Sequence, residues 1–219
     1  MALIDAPLSF RIFSVAGALI AVLGSLLSAL YYRGKKGQPY SPLNHFISEL
    51  GEVGVSKLAW VFNTSLILTG LCLVPAAASL GCLLNSVLSK IAMAAGIVCA
   101  ISLSLVGVFP MNKLKPHGYA AMTYFRAGLA MVFLFSLAIA LQPKPELALP
   151  RGFALAGLPP ILAFSTFLLL VSCTTQQAED PLSIEGVERP RVWRLAVVEW
   201  LIFVTILLWF VLITIGLAA

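Results

Sequence analysis

Long apolar runs separated by short polar breaks set the pattern of this chain. Six runs, at roughly 12–31, 58–80, 89–109, 120–141, 152–173 and 195–217, reach the ~20 apolar residues that a helix needs to cross a bilayer. Lipid offers no partner to a backbone N–H or C=O. A helix satisfies both internally and is therefore the form such runs take. None of the runs alternates apolar and polar residues as a membrane β-strand does. The pattern predicts an all-α polytopic membrane protein: a single domain over residues 1–219 with six transmembrane helices.

The longest polar break, between runs one and two, contains "SPLNHFISELGE", Ser41 to Glu52. Ser41-Pro42 is a helix-start signal and Gly51 a stop signal. Between them Leu43, Phe46, Ile47 and Leu50 recur at helical spacing, which predicts a short amphipathic helix between spans one and two. Its other face would carry Asn44, His45, Ser48 and Glu49. Spacings of three and four residues let His45 meet Ser48 and Glu49. Two readings stay open: an interfacial helix with its polar face in water, or a polar constellation turned inward over the bundle. In the second, His45, Ser48 and Glu49 are candidates for base, nucleophile and orienter.

Other polar residues fall near the same end of the spans. His117, the only other histidine, opens the fourth run, and Asn63 lies near the start of the second. Arg126 and Glu199 sit several residues inside spans four and six, where charge is costly and is usually paired or functional. An Arg126–Glu199 pair is the expectation. The alternatives are snorkelling for Arg126 and a bond to Arg194 for Glu199. Pro159 and Pro160 predict a kink inside span five. The connector Thr174–Arg191 reads as a solvated loop.

Composition agrees with the pattern. The chain is 60% hydrophobic and 11% charged, with mean hydropathy +1.01, where soluble domains are about half apolar and a quarter charged. "MALIDAPLSFR" lacks the basic start of a signal peptide and carries Asp5, so a cleaved leader is not expected. Cys72, Cys82, Cys99 and Cys173 form no CxxC pair and read as packing thiols; "LVSC" before Cys173 is a chance likeness to a lipoprotein box.

Six spans put both termini on one side and three loops on the other. The loop face would carry Arg33, Lys35, Lys36, Lys57, Lys113, Lys115, Arg189, Arg191 and Arg194, with Arg126 reaching it; the other face has Arg11, Lys90, Lys144 and Arg151. The positive-inside rule then places the loop face in the cytoplasm and both termini outside. The net charge of +5 is spread over short loops. There is no Gly-rich phosphate loop and no dinucleotide fingerprint, so nucleic-acid binding is not expected.

The motifs "ISELG" (Ile47 to Gly51), "FN" (Phe62, Asn63) and "VGVFP" (Val106 to Pro110), followed by His117, resemble the bacterial six-span family called domain of unknown function 998. That family is in turn similar to the Frag/DRAM/Sfk group of eukaryotic membrane proteins. The resemblance implies a bacterial inner, plasma or internal membrane and a role in lipid metabolism or organisation. It matches Ser48, Glu49, Gly51, Asn63, Pro110 and His117, and not His45. In the relatives the first loop is expected on the extracytoplasmic or lumenal side, against this chain's own charges.

Three functions fit the residues. The first is a lipid-binding or membrane-organising protein, or a small subunit of a membrane assembly or homo-oligomer. Its basic residues Arg33, Lys35 and Lys36 would face anionic headgroups. The second is an intramembrane lipid hydrolase or acyl transferase using His45, Ser48, Glu49 and His117. The sequence requires no cofactor. His45, Glu49 and His117 would suit zinc, although two histidines exclude a three-His site. The third is a small transporter, which the scarcity of ionisable groups near mid-membrane disfavours.

Overall fold

The computed structural model describes residues 5–143, 148–175 and 190–217. Six long α-helices carry the fold: α1 (Ala6–Tyr31), α2 (Ala59–Leu84), α3 (Val87–Val108), α4 (Leu114–Ala140), α5 (Leu158–Thr175) and α6 (Arg194–Gly216). Six helical segments are long and apolar enough to cross a membrane, α5 counting together with the 3₁₀ turns before it. There is no strand among the described residues, only an isolated bridge between Tyr32 and Ser56.

Each helix begins and ends for a local reason. Pro7 sits in the first turn of α1, where its missing N–H is no loss. Asn85 takes a left-handed conformation (φ 40°) to end α2, and Ser86 at once caps α3 by accepting from the Ser89 N–H at 3.0 Å. Two residues therefore suffice for the α2–α3 hairpin. Lys144 and the 176–189 part of the last connector lie outside the described residues. In span five, Pro159 and Pro160 lie in the first turn of α5, where the 3₁₀ helix Arg151–Gly157 gives way to the α-helix; proline fits a helix start better than its interior. The internal proline is Pro75, within α2.

Consecutive helices pack against one another, and α6 returns to α1, closing a ring. With no hydrophobic force between helices in lipid, close approach and interhelical hydrogen bonds must hold them. Small residues allow that approach. Thr69 donates to the Gly17 carbonyl (3.2 Å), Ser104 to Ile67 (3.1 Å) and Ser28 to Leu58 (3.1 Å). Ser14 and Thr214 join α1 to α6 at 3.0 Å, and the Arg11 guanidinium donates to the carbonyl of Leu217 at the C-terminal end of α6. A cation there also meets the negative end of the helix dipole. Within the ring, Phe10, Phe135, Trp209 and Phe210 form a buried aromatic core.

Gly70 marks the tightest α2–α3 contact: a Cβ there would collide with the Ala100 carbonyl and the Ser104 hydroxyl. Gly70→Val is expected to cost about 1–3 kcal/mol by overpacking. Gly152→Ala, with open space around it, should change stability by less than ~0.5 kcal/mol. Thermal unfolding of the two variants in detergent checks both.

Candidate functional site

The segment 32–57 folds over one end of the ring, and its path differs from the expected helix. Residues 42–45 form a turn, with the His45 N–H donating to the Ser41 carbonyl at 2.9 Å. Phe46 is extended (ψ 147°), and only Ile47–Gly51 are helical, as a 3₁₀ helix. The short helix between spans one and two is therefore five residues long. The sidedness also changes: His45 and Glu49 are buried, while Leu43 is exposed. A 3₁₀ turn preceded by an extended residue breaks the 3.6-residue register on which the amphipathic pattern rests.

Glu199 causes this path. It lies five residues into α6, about 7.5 Å along the helix, and is buried. Its carboxylate accepts the Ile47 N–H at 2.7 Å, and Ser48 lies beside it on the wall of the same cavity. That N–H group begins the 3₁₀ helix and has no acceptor within it. A buried carboxylate without donors would be severely penalised. Here each side supplies what the other lacks.

Further struts fix the same segment. The Phe46 N–H donates to Glu49 Oε1 (2.9 Å). The Tyr32 hydroxyl reaches Glu49 Oε2 at 3.5 Å. Asn63 donates from α2 to the Gly51 carbonyl at 3.0 Å, and a Cβ at Gly51 would collide with Asn63 Oδ1. Asn112 holds Val53 from both sides, accepting its N–H (2.7 Å) and donating to its carbonyl (2.9 Å). Trp200 Nε1 donates to the Tyr40 hydroxyl (2.9 Å), which donates to the Phe46 carbonyl (2.9 Å). Burial, and next the nearby Glu199 charge, push the Tyr40 phenol well above its ordinary range, so it stays neutral and remains a donor.

The structure sorts the sequence candidates into groups. Ser48 and His117 line one cavity of about 60 Å³, and Glu199 lines it too. His117 Nδ1 lies 2.7 Å from the Phe109 carbonyl, which can only accept; the proton is therefore on Nδ1 and Nε2 is the basic nitrogen. No hydrogen bond joins Ser48 to His117 among the described residues. His45 is elsewhere, packed edge-on to Tyr32 (5.5 Å) and tilted against Tyr40 (5.3 Å), with Nδ1 3.3 Å from the Ser41 carbonyl. Glu49 is built into the segment as described, and Asn44 is half-buried in the turn. His45, Glu49 and His117 form no metal-holding group; none exists among the described residues.

The charged candidates do not converge. The Arg126–Glu199 pair is not formed: Arg126 is exposed on α4, and the Ile47 backbone N–H donates to Glu199 instead. Nor does Arg194 pair with it, since Lys35–Glu52 (3.2 Å) is the one ion pair among the described residues. Arg33 is exposed and bonds the Tyr32 carbonyl, and Lys36 is exposed.

Sequence reasoning missed Asn112, Tyr40 and Trp200. An Asn in "VFPMN", between two spans, was the available signal for the first. The other two bind through backbone carbonyls and one another, which leaves no trace in spacing. Arg126→Gln should alter stability by less than ~0.5 kcal/mol. Glu199→Leu should lose about 1–3 kcal/mol, because it orphans the part-buried N–H group of Ile47. Thermal unfolding in detergent reads both, and equal losses would contradict the assignment.

No curated protein and no solved structure matches the chain significantly. A family model does: the one described as Protein of unknown function (DUF998) matches residues 15–216, nearly the whole chain. With its six membrane-spanning helices, this integral membrane protein belongs to that family.

Proposed function

We propose that the protein binds a membrane amphiphile inside its helical ring. One observation carries this reading. Beside the cavity that holds Ser48, His117 and Glu199 lies a second, of about 50 Å³, walled almost wholly by apolar residues such as Ala18, Leu73, Ala100 and Phe210. Leu66, Leu103, Tyr124 and Phe203 line both. A polar chamber at one end of the bundle thus adjoins an apolar chamber further in, the division of a molecule with a polar head and a hydrocarbon tail. Binding is favoured over hydrolysis because no hydrogen bond joins Ser48 to His117 among the described residues, whereas a nucleophile needs the basic nitrogen of its histidine.

The basic residues of the loop face support a cytoplasmic position for it. Single cysteines at Lys36 and Val87 in a cysteine-free background should label from the cytoplasmic and the outer side respectively; the reverse would place the site outside.

Ala18, half-buried on α1, faces the apolar chamber. Ala18→Phe fills it. In the purified wild-type protein, mass spectrometry of extracted material should find a stoichiometric amphiphile, and the variant should lose at least tenfold of it while retaining its melting temperature. Equal retention would refute the reading.

A further inference from the structure

We infer that the head of the bound amphiphile is an organic ammonium group. This rests on the amphiphile reading above and names the chemistry of its polar chamber.

The argument begins with the acid. The Glu199 carboxyl accepts from the Ile47 N–H, but this donor is neutral and leaves other lone-pair sites open to the chamber. No lysine or arginine pairs with it among the described residues. A buried acid ionises readily only where an opposite charge compensates it, and a cationic head brings that charge.

The walls point the same way. Phe62, Tyr124, Phe125 and Phe203 line the chamber with Glu199 and Ser48. Four aromatic rings beside one carboxylate form the surroundings in which an ammonium is held, since ring faces attract cations and the interaction strengthens as water is excluded. The volume fits a group larger than water: about 60 Å³, against ~10–15 Å³ for one water on the same measure. A neutral hydroxyl would gain no charge pairing with Glu199, and an anionic head would meet the acid with repulsion. The ammonium sits between Glu199 and the rings, and its chain runs past Leu66 and Phe203 into the apolar chamber.

The test is equilibrium binding to the full-length protein in maltoside micelles, using three labelled probes with one chain: tetradecyltrimethylammonium, tetradecanol and tetradecanoate. Tetramethylammonium, the head without the tail, is the fourth arm. The ammonium amphiphile should bind at least tenfold more tightly than the alcohol and the acid, and at least a hundredfold more tightly than tetramethylammonium. Ala18→Phe should weaken all three chain-bearing probes. Glu199→Gln should bring the ammonium probe to the level of the alcohol without weakening the alcohol. If Glu199→Gln does not fold, Phe203→Leu decides: the ammonium-to-alcohol preference should fall at least threefold. Equal binding of ammonium and alcohol, or an unchanged preference in these variants, would overturn the head assignment and leave the amphiphile reading standing. Failure of all three chain-bearing probes to bind, or binding indifferent to Ala18→Phe, would overturn both. Tetramethylammonium binding as tightly as the long-chain probe would replace the amphiphile with a soluble amine.

Discussion

The bond from the Ile47 N–H to Glu199 anchors the cap of this molecule on α6. A carboxylate placed a turn and a half into an apolar helix must find donors at that depth. Free backbone N–H groups exist only where a chain is not already helical. The loop therefore brings the first turn of a 3₁₀ helix to the acid, and Phe46 has to be extended for those N–H groups to point outward from the turn's start. The other bonds follow from this placement. Once Ile47 sits on α6, the carbonyls of Phe46 and Gly51 and both polar groups of Val53 need partners. Tyr40, Asn63 and Asn112 supply them.

The ring beneath the cap obeys a different constraint. Its helices approach through small residues, and small residues leave space wherever a bulky one does not face them. Ala18, Gly96 and Ala100 border the apolar chamber for this reason, while Phe10, Phe135 and Trp209 fill the interior elsewhere. Both cavities share the walls Leu66, Leu103, Tyr124 and Phe203, so the two lie side by side beneath the cap.

The six spans were legible because helix length in lipid is set by bilayer thickness, a constraint written directly in the hydrophobic runs. Their ends shifted where local chemistry took over, as at Asn85-Ser86 and before Pro159. The polar cluster was legible as a place but not as a shape. Apolar spacing at Leu43, Phe46, Ile47 and Leu50 describes a helix only if one register runs through all four, and the acceptor that breaks it is 152 residues away. Glu199 stood out as a lone acid in a span. Pairing it with Arg126 assumed that charge seeks charge, whereas a long arginine reaches water cheaply and a short buried carboxylate takes the nearest N–H groups. By spacing alone His45 and His117 were both site candidates, and only the family motif separated them. The His45 ring packs with Tyr32 and Tyr40 in the cap, and only His117 faces the cavity with Ser48.

This division bears on what the cavity is for. The Ile47 N–H is committed to the Glu199 carboxyl, and His117 Nδ1 is committed to the Phe109 carbonyl. A hydrolase would need the Ser48 hydroxyl to pass its proton to a base while approaching an acyl carbon, and no hydrogen bond joins that hydroxyl to His117 among the described residues. A binding site needs no such transfer. On the amphiphile reading proposed above, the acid that holds the cap on α6 also lines the polar chamber, so structure and recognition would depend on the same residue.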